Sequence, residues 1–68
     1  MMNNDNNEIL KKCIGDPTDE ITKELDRLGW YWIIYKRDGE NFLVPQDIRT
    51  DRIMIETYHN KIVNIYIG

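Results

Sequence analysis

Alanine and serine do not occur in this chain, and cysteine and histidine occur once each, as Cys13 and His59. The lack of serine excludes a serine nucleophile and with it the Ser-His-Asp arrangement. One cysteine cannot close an internal disulfide, and one histidine cannot anchor a zinc site of the usual multi-ligand kind. Cys13 and His59 as a thiol and its base come with no oxyanion-hole motif, so the chain is not expected to be an enzyme. Asp47 and Asp51 lack the Asx-rich, glycine-containing spacing of a calcium loop and read as solvated carboxylates. No metal or cofactor is expected.

A basic excess is missing too: the formal net charge is −3. No positive field draws phosphate backbones or anionic lipid, so neither nucleic acid nor a membrane is an expected partner. A secretory leader needs a run of roughly 7–15 apolar residues, and here Ile9 and Leu10 stand alone before Lys11 and Lys12. The cytoplasm is the expected compartment, with which a free thiol agrees.

What is present fits one small module of 68 residues, 41% hydrophobic and 31% charged. A chain this short buries only about 60% of its unfolded surface, so most of its large apolar residues must be structural. Residues 1–8, MMNNDNNE, have no apolar periodicity and read as an unpacked tail ahead of a single domain over 9–68. From Asp16 the signals of a helix accumulate. Asp16 or Thr18 can cap it, Pro17 suits its first turn, and Asp19 and Glu20 place negative charge at its positive end. Ile21, Leu25 and Leu28 recur at i, i+4, i+7, Lys23 and Arg27 fall on the wet side, and Gly29 supplies a left-handed stop. A helix is expected over about 18–28.

WYWIIYK from Trp30 to Lys36 has the aromatic and β-branched make-up of a strand, with Ile33 expected to face the helix. Trp30 and Trp32 are expected in the core or at its rim. Arg52–Tyr58 and Lys61–Ile67 are two further strands, joined by a tight His59-Asn60 turn into an antiparallel hairpin. Ile53 and Ile55 form one inward face, and Val63, Ile65 and Ile67 the other. Two readings compete for RDGENFLVPQDIRTD at 37–51. Asp38-Gly39 taken alone predicts a hairpin from 31 to 44. Pro45 and the polar run beyond it favour a long exposed loop, which makes a parallel pairing of 31–36 with 52–57 plausible. The expected fold is α+β, one helix packed on a small mixed β-sheet with a long exposed loop.

IGDP ahead of the helix, then Asp47-Ile48-Arg49-Thr50-Asp51-Arg52-Ile53, an alternating strand, a turn, and Ile62-Val63 through Ile65 to Gly68 resemble the potato inhibitor I type serine-protease inhibitors. The resemblance covers roughly residues 10–68. It implies a loop shown to a protease as if it were substrate, formed by Leu43, Val44, Pro45, Gln46, Asp47 and Ile48, with the scissile-like bond between Gln46 and Asp47. It implies that Asp47, Arg49 and Arg52 support that loop, Arg52 rising from the strand beneath to hydrogen-bond Asp47. Where the family commonly places a second supporting arginine this chain has Met54, and where threonine is common it has Pro45. The implied partner is a serine protease of the subtilisin or chymotrypsin type. The alternative is a non-inhibitory interaction module, a homodimer burying its WYWIIY surface.

Overall fold

The computed structural model describes residues 8–47 and 49–68. Helix α1 (Thr18–Leu28) is followed by strands β1 (Tyr31–Arg37), β2 (Glu40–Asn41), β3 (Arg52–Tyr58) and β4 (Lys61–Ile67). The strands form one mixed sheet in the order β2-β1-β3-β4. β1 and β3 run parallel at its centre, with β2 antiparallel to β1 and β4 antiparallel to β3. The protein is a small α+β domain with one main helix on a mixed sheet. The tail read at 1–8 lies outside the described residues except for Glu8, which opens a helical turn over 8–11.

Leu25 anchors α1 on the sheet, sealed among Ile53, Ile55, Ile62 and Ile65. Trp30, Trp32, Ile34, Ile21, Leu10 and Cys13 close the edges of that cluster. The helix turns a different stripe inward from the one its apolar residues mark. Thr18, Thr22 and Leu25 are buried, while Leu28 is 56% exposed. Two threonines can take the inner positions because their hydroxyls find partners there. Thr18 and Thr57 share a hydrogen bond of 2.5 Å, Thr57 donates to the Lys61 carbonyl, and Thr22 donates to the carbonyl of Asp19. With Thr18 so engaged, neither it nor Asp16 caps the helix: the N-cap is Pro17, and no side chain caps it. The Asn60 carbonyl accepts the Thr18 N–H instead. At the other end Gly29, at φ 85°, returns its N–H to Asp26, and Trp30 donates to Leu25, the left-handed stop that a side chain would strain.

Plain alternation puts Ile33 on the face away from the helix, against the expectation, and a bulge in each of β1 and β4 shifts the alternation further along. β1 is irregular between Ile34 and Lys36. Trp32 and Ile34 lie beside Ile53 and Ile55 on the helix side, and Ile33 pairs with Met54 on the opposite face. In β4, Glu56 pairs with Asn64 and Thr57 with Ile62, so Val63 is the extra residue. An inserted residue reverses the alternation beyond it, so Ile62 is fully buried and Val63 is 44% exposed, against the expected inward run from Val63.

The edge of β4 is partly covered. Gly15 donates to the Ile62 carbonyl, Ile62 donates to Asp16, and Pro17 bridges Lys61. Covering an edge strand in this way removes a template for unwanted pairing.

Candidate functional site

Asp38 and Gly39 both have positive φ, 52° and 85°, as a two-residue hairpin turn requires. They fold β2 back on β1, pairing Arg37 with Glu40 and Lys36 with Asn41. The hairpin is therefore real but short, reaching only to the Phe42 N–H on the Tyr35 carbonyl. It replaces the start of the loop read at 37–51 and stops before the full span of 31–44. The Asp38 carboxylate also accepts the His59 N–H, tying this turn to the β3–β4 turn.

Beyond Phe42 the chain leaves the ladder and returns past the length of β1 to enter β3 alongside it, with no strand between 42 and 51 among the described residues. Leu43 is 104% exposed, Val44 half-buried, and Pro45, Gln46 and Asp47 exposed. Proline fixes its own φ and holds the preceding residue extended, so Val44-Pro45 is stiffened covalently just before Gln46. Ile48 lies outside the described residues.

Arg52, the first residue of β3, is 5% exposed. Its guanidinium donates from Nε to the Gly68 carbonyl at 2.9 Å and from Nη2 to the Asp47 carbonyl at 2.9 Å. Nη1 reaches Asp47 Oδ1 at 3.4 Å. The cation is thus held on one side by the chain after β4 and on the other by the loop. A Cβ at Gly68 would meet the edge of the Tyr66 ring at 2.9 Å. Gly68 also donates its N–H to the Arg52 carbonyl.

Arg49 makes a separate clamp. Its Nε and Nη2 each donate to one oxygen of Asp51 at 2.9 Å, and its guanidinium stands 5.2 Å from the centre of the Tyr31 ring. The paired hydrogen bonds hold the Asp51 carboxyl below its ordinary pKa and push Arg49 up. Among the described residues no hydrogen bond joins the loop to Met54. It is buried on the sheet face away from the helix, paired in register with Ile33 and Tyr66.

The structure brings Arg52 and Asp47 together. Tyr31 under Arg49 and the Gly68 carbonyl on Arg52 went unread as parts of the site. Nothing in the local sequence signals the first, since Tyr31 and Arg49 meet only because β1 and β3 start side by side. The Asp47 and Asp51 carboxylates are each bonded to an arginine, and no group of three or more His, Cys, Asp or Glu side chains that could hold a metal ion occurs among the described residues. No helix among them is long and apolar enough to cross a membrane.

No family model, no curated protein and no solved structure matches the chain. The class that fold and site define is a small α+β domain carrying an arginine-anchored surface loop.

Proposed function

We propose that this protein inhibits serine proteases of the subtilisin or chymotrypsin type by offering the 43–47 loop as a substrate mimic, with Gln46 entering the primary pocket and the Gln46–Asp47 bond in the scissile position. The observation that carries the proposal is the buried Arg52 guanidinium fastened to both the backbone and the side chain of Asp47. A loop already held in the bound conformation loses little ordering entropy on docking. A donor fork that is charged and rigid resists the distortion toward the tetrahedral transition state on which cleavage depends. Arg49 steadies the limb beyond the bond through Asp51 and Tyr31. Gln46 is neutral, which disfavours a trypsin-like pocket that takes a cation. The role is binding rather than turnover.

A second reading is favoured by the sheet face that α1 leaves uncovered, where Tyr31 and Tyr66 are 61% and 40% exposed. A homodimer burying that face would make the protein an interaction module. Equimolar mixing with subtilisin and with chymotrypsin, beside size exclusion of the protein alone, separates the two. Loss of protease activity in proportion to added monomer supports inhibition. A dimer with full protease activity at micromolar concentration supports the module.

A further inference from the structure

A cavity of about 370 Å³ opens between the helical turn at 8–11, α1 and the ends of β3 and β4. Leu25 and Ile53, both buried, belong to its wall together with Trp30 and Ile67. Ile9 and Leu28 line it too, 60% and 56% exposed. The exposed Leu28 is thus explained: it borders a cleft instead of sealing the core.

We propose that this cavity binds a small, neutral, hydrogen-bond-poor molecule of the hydrocarbon or aromatic class. Its volume falls in the range of small-molecule sites, roughly 300–1,000 Å³. Eight of the ten lining residues are apolar and the other two offer a ligand little polarity. Glu24 spends its carboxylate on Arg27. Cys13 is a thiol whose pKa burial pushes upward, so it stays uncharged near neutrality. An extended strand inserted here would bring backbone amides to a wall with almost nothing to pair them, which is costly. A compact apolar molecule brings no such groups.

The test is fluorescence titration of the full chain with N-phenyl-1-naphthylamine, with amide NMR shifts recorded on the same samples. The expected result is a saturating rise at one probe per chain, with shifts concentrated at Leu25, Trp30, Ile53 and Ile67. Cys13→Phe, which fills the space from its wall, is expected to weaken probe binding at least tenfold while the fold is retained. If that variant fails to fold, the shift map of the parent decides alone. No saturable binding, shifts centred on Tyr31 and Tyr66 instead, or unchanged binding by folded Cys13→Phe would overturn the proposal. So would a dimer that protects the cavity residues before probe is added, since the occupant would then be a second copy.

Discussion

Replacing Arg52 by methionine keeps the length of the buried stem and removes only the guanidinium. Two hydrogen bonds of 2.9 Å to backbone carbonyls disappear, and a contact of 3.4 Å to the Asp47 carboxylate goes with them. Bonds from a charged donor are worth about 1.5–3 kcal/mol each, but the Asp47 side chain is 56% exposed, so water takes over much of what the loop loses. Its carboxylate contact belongs with surface pairs at about 0–1 kcal/mol. The loop's hold on its bound conformation therefore weakens by about 2 kcal/mol, or about thirtyfold in population. Domain stability falls by that amount plus the lost Gly68 bond, about 3.5–5 kcal/mol in all, which is comparable to the roughly 3–5 kcal/mol such a chain has in hand, so the result is read on protein whose circular dichroism shows it folded. Progress curves with subtilisin and chymotrypsin, with mass spectrometry of the recovered chain, are the assay. The expected outcome is inhibition about thirtyfold weaker and steady cutting at the 46–47 bond by a protein whose circular dichroism is unchanged. Parent-like inhibition and resistance to cutting in folded Arg52→Met would refute the reasoning, because the loop would then be ordered by something other than the arginine.

Gln46→Tyr is expected to strengthen inhibition of chymotrypsin several-fold through added apolar area in the pocket; an unchanged inhibition constant would move the contact residue elsewhere in the loop. Leu25→Ala removes the helix's one fully inward leucine and is expected to cost about 2–5 kcal/mol, leaving the domain largely unfolded by thermal melt; a melting point within a degree or two of the parent would contradict the core. Met54→Arg, the change that the family pattern invites, would instead force a cation into a buried site beside Tyr66, and a fall in melting temperature is expected; a rise would mean that the new side chain escapes to the loop. The Asp51 carboxyl is held below its ordinary value of 3.8, so the support it gives is complete above that pH and disappears as pH falls through the lowered folded value. An NMR titration is expected to place its midpoint under 3.8, moving back up in Arg49→Ala; the same midpoint in both would dissolve the clamp.

The elements that announced themselves did so through backbone chemistry. Gly29 ends α1, and His59-Asn60, with φ of 51° and 61°, turns β3 into β4, because few residues accept those conformations. The strand limits at 52–58 and 61–67 follow from runs of β-branched residues between such signals. Facing was harder to read. Periodicity assumes an unbroken alternation, and the irregularities at Ile34/Lys36 and Glu56/Thr57 shift it with residues no different in kind from their neighbours. The apolar spacing of the helix passes over Thr18 and Thr22, although a threonine whose hydroxyl finds a partner packs inside at little cost. In the loop, the turn chemistry of Asp38-Gly39 and the extended run after it were both correct locally. Their boundary at Phe42 depends on where β1 runs out of partner, which is a property of the sheet. The pairing of Arg52 with Asp47, five residues apart, leaves no mark in the local periodicity, and the clamp on Tyr31 depends on the parallel register.

The placement of β1 and β3 has a consequence for the chain as a divisible object. A break anywhere in 42–47 leaves α1 and β1 on one piece and β3 and β4 on the other, yet the core consists of Leu25 from the first against Ile53, Ile55, Ile62 and Ile65 from the second. Neither piece holds enough apolar surface to fold by itself, and the central parallel ladder from Tyr31–Arg52 to Arg37–Thr57 runs wholly between them. The protein is in effect two complementary halves joined by a surface tether, and its solid part is the seam between them.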